Sequence, residues 1–353
     1  LNKMVSFYLT HNRKIINRCD DSVGFYLKDR GFSIIRRSRG YVPVSLELPF
    51  SVIPTLATGP YLKNTFTLAD KKRAYVSPHI GDLDNAETLN FFYETVKNYK
   101  RWFKIEPELI VYDLHPDYLS TKIAFEMAQN LRLRKIGVQH HIAHIISCLG
   151  ENKIFDKVIG IAFDGTGYGL DGNIWGSEFF VGDLKSQKRV AHLEYLPLPG
   201  GEESIEKPYR IAIAYIYKTL GMEFIRKNFI KGLRLKSSSE EIDVIIKMID
   251  QKYNLAYTSS MGRLFDCVSA MLGVIQEITY EAEAAISLEY LAEKGIKDYY
   301  PYEISQNPAE LSMKEKRSSS EKSNWSTTPC NCEDNGFTIH IRLVLEGILN
   351  DIK

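Results

Sequence analysis

Two histidines four residues apart, His140 and His144 in the run QHHIAH, would stand one turn apart on the same face of a helix. That spacing lets two imidazoles share a metal ion. A third protein ligand and an open coordination position would make a centre fit for catalysis or for nucleotide phosphate. The same run also reads as a polar helix start with ordinary histidines, because no glutamate partner accompanies them as in HExxH. His141 points elsewhere, either behind the pair or at the surface.

A second group of residues has phosphate chemistry in reach. Asp164 ends the apolar run KVIGIAF and enters DGTGYG, with glycines at 165, 167 and 169. These glycines would let backbone amides approach a phosphate closely, and the nearby carboxylate would hold a phosphate-bound cation. The competing explanation is a tight hairpin, since Asp-Gly is a strong turn signal. Lys63 and Asn64 in GPYLKNT occupy the equivalent turn of an earlier strand–helix unit, as cleft residues or as a solvated turn. Asp113, His115, Pro116 and Asp117 close the run ELIVYD, where α/β sheets place ligands, or else cap the next helix together with Ser120. PLPGGEESIEKPYR (197–210) either lines a cleft or starts a helix at Glu206. Arg263 and Asp266, three apart, form an intrahelical ion pair or leave Asp266 to accept from a ribose. The sequence contains no GxSxG, no Walker motif and no supported Cys–His constellation.

The elements that must position these groups can be read from periodicity. SVIPTLATG, NTFTLAD and KKRAYVSPH predict three short strands. Leu89, Phe92, Val96, Tyr99 and Phe103 mark an amphipathic helix. The strand ELIVYDL, a helix through Ile123, Met127 and Leu131, the strand KIGVQ and the helix HHIAHIISCLGEN come next. The order then restarts with strands at 157–163, 173–182 and 189–197. Helices are expected near 206–219, 239–250, 260–273 and 280–294, the last ending with Gly295 as its C-cap. Two successive units of meandering strands, helices and further strands predict a duplicated α/β lobe. This is the layout of the actin-like, sugar-kinase-like (ASKHA) bilobal fold of ribonuclease-H-like lobes, which places nucleotide between lobes. The second lobe lacks the later buried strands of the first and is expected to be truncated. Residues 305–336, Ser-rich and aperiodic, predict a disordered insertion, after which FTIHIRLVLEGILNDIK resumes as strand and helix.

Bulk properties narrow the classes. The 353 residues carry 45 Lys plus Arg against 44 Asp plus Glu, a formal net charge of +1, with 44% hydrophobic residues. Neither nucleic acid nor a membrane surface is expected as an electrostatic partner. No apolar run approaches the length of a bilayer span. Five scattered cysteines, Cys19, Cys148, Cys267, Cys330 and Cys332, read as reduced thiols of the cytoplasm. Cys330 and Cys332 have the wrong spacing for a zinc knuckle.

Taken together, the ordered runs THNRKI, RCDDSV, RRSRGYVP, LATGPYLKNTFTL, SPHIGDLDN, DLHPDYLST, VQHHIAH, DGTGYGLDGNIWGSEF, PLPGGEESIEKPYR and SSMGRLFDCVSAMLG resemble the HypF family of hydrogenase maturation carbamoyltransferases. The resemblance implies a remnant of a YrdC-like domain and linker over 1–45, a first transfer-domain lobe over 46–155 and an incomplete second lobe over 156–353. It implies that carbamoyl phosphate and ATP yield carbamoyl-adenylate, and that the carbamoyl group passes to the C-terminal cysteine of HypE. That step serves the cyanide ligands of nickel–iron hydrogenases. By the resemblance His140 and His144 are ligands of a divalent metal, iron or zinc. Asp164, Gly165, Thr166 and Gly167 face the nucleotide phosphates, and Asp266 faces the ribose. Two departures stand out. The family's YEGQAA reads YEAEAA, with Ala282 in place of a glycine, and the chain is expected to end before a final Gly-Gly motif and a metal-completing aspartate. The alternatives are a threonylcarbamoyl transferase of tRNA modification, against which DLHPDYLST and the YrdC-like run argue, and a non-catalytic remnant.

Overall fold

The computed structural model describes residues 4–13, 15–28, 31–231, 235–306 and 336–352, without the side chains of 227–231. The chain divides into two compact units, Leu1–Ile136 and Gly137–Lys353.

The first unit opens with an antiparallel hairpin, β1 (Val23–Leu27) and β2 (Gly31–Arg36). From Leu46 the chain enters β3 (Leu46–Ala57), which turns back into β4 (Thr67–Val76). Here the structure corrects the expectation of three short strands. Asp70 and Lys71 do not end a strand; Lys71 takes a φ of 51° within β4, and the β3–β4 register shifts opposite it. The extra residues lie on β3, between Glu47 and Val52 and between Val52 and Thr55, so Lys71 keeps Val52 as its ladder partner. Helix α1 (Ala86–Phe103) is capped by Asn85, whose side chain accepts from Thr88 N, and it buries Phe92, Val96 and Tyr99. Phe66 meets Phe92 and Tyr99 edge-on at 5.6 and 5.2 Å. Each ring so buried contributes about 2–3 kcal/mol. Strand β5 (Leu109–Asp113) then pairs parallel with β3, α2 (Leu119–Leu131) comes after it, and β6 (Arg134–Val138) completes a sheet of order β4-β3-β5-β6. Ser120 does not cap α2 as expected. The cap position is Tyr118, Ser120 is buried, and Thr121 Oγ1 anchors the entry by donating to Asp113 O at 2.8 Å.

The second unit begins with α3 (His140–Glu151), placed against β7 (Val158–Tyr168). Gly160 makes that approach close: a Cβ there would lie 2.7 Å from Ile145 Cγ2. This packing joins α3 to the second unit. Strands β8 (Ile174–Gly182), β9 (Gln187–Leu193) and β10 (Leu196–Pro199) lead to α4 (Glu202–Glu206), α5 (Pro208–Leu220), α6 (Met222–Lys231) and α7 (Ser239–Asp250). Then come β11 (Leu255–Thr258), α8 (Met261–Met271), α9 (Glu283–Leu291), β12 (Glu303–Gln306), β13 (Phe337–His340) and α10 (Arg342–Asp351). The sheet runs β10-β11-β8-β9-β13-β12, with β7 paired to β8. Helix α5 is its core element: Ile211 through Ile216 are all essentially inaccessible and join one cluster with Cys267, Ala270, Met271 and Leu345.

Four local expectations change. Asp164-Gly165 is no hairpin, because β7 continues to Tyr168 and the turn to β8 is closed later by Gly169 N donating to Asn173 O at 2.9 Å. The expected helix start at Glu206 falls at the end of short α4, and α5 begins afresh at Pro208, which suits a first helical position. Gly295 does not cap α9, which ends at Leu291 with Ala292 at its C-cap. The expected insertion 305–336 begins too early, because Ser305 and Gln306 belong to β12, paired to β13. Its residues 307–335, with Cys330 and Cys332, lie outside the described residues.

Candidate metal and phosphate site

Three elements of the second unit converge on Asp164. Helix α3 starts at His140 because Gln139 caps it, its Oε1 accepting from Ile142 N at 3.0 Å. The helical turn then sets His140 Nε2 3.2 Å from His144 Nε2, as their spacing predicts. Across from them β7 brings Asp164 Oδ2 to 3.4 Å from His140 Nε2. One ligand atom from each of His140, His144 and Asp164 falls within 4.8 Å of the others. Two imidazoles and a carboxylate are a donor set that zinc or iron accepts. Asp164 Oδ2 is buried without a hydrogen-bond partner, so the residues present fit a cation. Burial raises the Asp164 carboxyl, but the imidazoles of His140 and His141 outweigh it and hold the group well below its usual range.

Asp164, Gly165 and Thr166 lie where the β7–β8 register breaks, between Phe163 and Gly167, outside the regular ladder. Gly165 N is spent on Asp164 Oδ1 at 2.6 Å, and Thr166 is exposed. Gly167 has returned to the ladder opposite Trp175, its Cα against the His141 ring; a Cβ there would lie 2.3 Å from His141 Cε1. The first turn of α8 meets the bulge from below. A Cβ on Gly262 would come within 2.8 Å of Gly165 Cα, and one on Gly176 within 2.5 Å of Asp164 O. These contacts require glycine for closeness alone.

Arg263 and Asp266 form the intrahelical ion pair of the two readings, Nε to Oδ2 at 2.7 Å, both side chains almost wholly buried. Neither atom has aligned hydrogen-bond geometry, so the contact is an ion pair only. Burial raises the Asp266 carboxyl and Arg263 offsets it in part. Arg263 connects the pair to the bulge, its Nη2 lying 3.8 Å from where a Cβ on Gly165 would stand, while Asp266 is engaged by Arg263.

Sequence reading missed the residues that hold this neighbourhood together. Ser260 caps α8 by accepting from Arg263 N, and its hydroxyl reaches Asp164 O at 2.8 Å and Gly165 O at 2.7 Å. Glu178, fully buried, accepts from Gly176 N, Ser177 N and Ser259 Oγ, and pairs with Arg189 Nε at 2.6 Å. The Ser-Ser pair before an apolar helix was a readable capping signal. Glu178 left none, because its four donors come from three different segments.

The first-unit candidates make contacts within their own unit. Asn64 is buried, and its Nδ2 donates to Thr58 O and Pro60 O at 2.9 and 2.6 Å, closing the loop around Gly59. Lys63 N donates to Asp82 Oδ1 at 2.7 Å. Asp113 Oδ1 accepts from His115 N at 2.9 Å, and His115 Nδ1 lies 3.2 Å from Asp117 N. The His115 ring stacks on Tyr118, which stacks in turn on Tyr61 at 5.6 Å, joining the GPYLKN and DLHPDY loops. The segment 197–210 forms a turn and helix start in which Arg210 pairs with Glu241 at 3.1 Å.

Known proteins resemble this chain over most of its length. A family model described as the HypF Kae1-like domain matches residues 51–151, and one described as the carbamoyltransferase, Kae1-like domain, second subdomain matches 160–332. The chain is 36% identical over 329 residues to the carbamoyltransferase HypF of Synechocystis sp., covering 89% of this chain and 42% of that one. It is 39% identical over 288 residues to HypF2 of Cupriavidus necator, covering 81% and 35%. A crystal structure of full-length HypF in a phosphate- and nucleotide-bound form superposes with a TM-score of 0.80 at 41% identity, covering 98% of this chain and 49% of that one. The HypF of T. kodakarensis gives a TM-score of 0.78 at 34% identity, covering 98% and 42%. The α/β fold is thus Kae1-like, of the actin-like, sugar-kinase-like class expected from the repeated strand–helix order. The chain spans less than half the length of these relatives.

Proposed function

Because this chain belongs to the HypF family, carrying its Kae1-like domain, we propose that it performs a carbamoyl-transfer step. The donor is carbamoyl-adenylate, made from carbamoyl phosphate and ATP, and the acceptor is the C-terminal cysteine thiolate of HypE, on the way to the cyanide ligands of nickel–iron hydrogenases. The observation that carries this reading is the convergence of His140, His144 and Asp164 beside the bulge 164–166. Relatives named carbamoyltransferases support it.

In this reading His140, His144 and Asp164 hold a divalent cation, iron or zinc. A cation bound there supplies positive charge to a nucleotide phosphate. The chain's own residues do the rest. The bulge leaves Thr166 exposed and outside the β7–β8 ladder, where a phosphate is accommodated without displacing a strand. Ser260 and the Gly262 contact hold that bulge against α8. Asp266, the proposed ribose contact, is kept in place by Arg263. In the transfer the thiolate sulfur forms a bond to the carbamoyl carbon, the carbon–oxygen bond to the phosphate breaks, and AMP leaves with the electron pair. Fixed donors at the phosphate lower the barrier by stabilising that leaving charge.

The test supplies the 353-residue chain with zinc, carbamoyl-adenylate and a peptide bearing the HypE C-terminal cysteine, and monitors the peptide by mass spectrometry. The expected product is the S-carbamoyl peptide. Its rate should fall at least about a hundredfold in Asp164→Asn, the size of effect expected from losing a charge stabiliser at the reacting phosphate. No S-carbamoyl product from a chain that binds both zinc and ATP would remove the transfer reading while leaving the site.

A further inference from the structure

Two adjacent histidines at the head of α3 have opposite duties: His140 stands in the metal-binding set, and His141 stands behind it. Taking the metal reading of His140, His144 and Asp164 as its basis, we propose that His141 is a positioning residue. Its imidazole offers its Nε2–H to Asp164 Oδ2, holding that carboxylate where it completes the set.

The contacts that fix this ring begin one residue earlier. The orientation of the Gln139 amide is set by the helix cap, because its Oε1 accepts from Ile142 N at 3.0 Å. Its Nε2 therefore faces the other way, where it donates to Tyr168 O at 3.0 Å and lies 3.1 Å from His141 Nδ1. An amide nitrogen has only protons to offer, so His141 Nδ1 carries the lone pair and the ring proton sits on Nε2. That Nε2 lies 3.6 Å from Asp164 Oδ2. Both atoms are buried and neither has a hydrogen-bond partner at present, so a stranded donor faces a stranded acceptor. The other carboxylate oxygen, Oδ1, is already taken by Gly165 N.

His140 cannot fill this role. Its Nε2 lies 3.4 Å from the same oxygen, but beside His144 Nε2 at 3.2 Å it must keep its lone pair to bind a cation. The surroundings leave His141 little freedom. It has no accessible surface, and Gly167 rests on its ring so closely that a Cβ would lie 2.3 Å from Cε1 and 3.2 Å from Asp164 Oδ2. A histidine that merely filled space would need neither a fixed tautomer nor a buried carboxylate oxygen 3.6 Å from its Nε2. Buried polar partners that orient a metal-binding side chain typically change affinity by about 10–100-fold when lost.

Zinc affinity of the 353-residue chain, measured calorimetrically beside thermal melting of the zinc-free protein, tests the assignment. His141→Leu should weaken zinc binding by about 10–100-fold without lowering the zinc-free melting temperature. His141→Gln, whose amide can again donate toward Asp164, should restore most of the affinity. Gln139→Glu keeps the cap on Ile142 N but accepts at His141 Nδ1, so it moves the ring proton away from Asp164 and should weaken zinc as His141→Leu does. If His141→Leu fails to fold, the other two variants decide. Undiminished zinc affinity in a folded His141→Leu or Gln139→Glu, with binding lost in His140→Ala/His144→Ala, would overturn the positioning role alone. Zinc binding unchanged in that double variant, or none in the wild-type chain, would overturn the metal reading and this one with it.

Discussion

At Ala282 the chain carries a side chain in a conformation that suits glycine. Its φ of 63° and ψ of 14° are left-handed, at the N-cap of α9, and its surroundings are exposed. An L-residue there meets its own carbonyl, at a cost of roughly 1–2 kcal/mol, while glycine gives back part of that gain in unfolded-state entropy. The substitution that stands out as a departure from the family's motif thus acts on the backbone through φ. Ala282→Gly is expected to stabilise the protein by about 0.5–1 kcal/mol, read as a higher urea midpoint with unchanged slope. A lower midpoint would mean that the methyl makes contacts worth more than the strain.

At the scale of elements, the site depends on how α8 starts. Ser260 combines three duties: it caps α8 through Arg263 N, and its hydroxyl reaches the carbonyls of Asp164 and Gly165 in β7. Helix, strand bulge and cap are therefore one unit, and removing the hydroxyl removes them together. Ser260→Ala should destabilise by about 2 kcal/mol, the upper end for a lost cap, measured by denaturant unfolding. Ser260→Thr, which keeps the hydroxyl, should recover part of it. A loss of only a few tenths would show that the bulge is held by the Gly262 and Gly176 contacts alone.

At the scale of the whole molecule, an apolar stretch of exposed surface runs along β7. Among the described residues β7 has a ladder partner on one side only, β8. Ile159, Ile161 and Phe163 alternate along it at 72, 54 and 56% exposure. A groove of about 410 Å³ runs beside the same strand, lined also by Ile145, Cys148 and Leu149 of α3. An open apolar edge of this kind favours self-association. Ile161→Lys is expected to reduce concentration-dependent light scattering while changing stability by less than about 0.5 kcal/mol. Scattering unaffected by the substitution would locate any association elsewhere.

Much of this protein was legible from residue order. The 3.6-residue period of α1 and the apolar runs of β5 to β7 are local properties, and each became the element it predicted. The four-residue spacing of His140 and His144 placed their nitrogens together because helical geometry alone dictates it. The ordered motifs were enough to identify the family. Tertiary structure decided what those residues meet. Asp164-Gly165 reads as a hairpin until β8 pairs along both sides of it and makes it a bulge. Lys71 reads as part of a turn until β3 holds β4 straight past it. The proximity of Asp164 to His140, 24 residues apart in the chain, depends on Gly160 letting Ile145 approach β7, and the buried donors around Glu178 gather from segments about 80 residues apart. Local sequence carries torsional preference and periodicity, which act over a few residues. Which atoms lie at hydrogen-bonding distance across segments is settled by side-chain volume and burial when the elements pack.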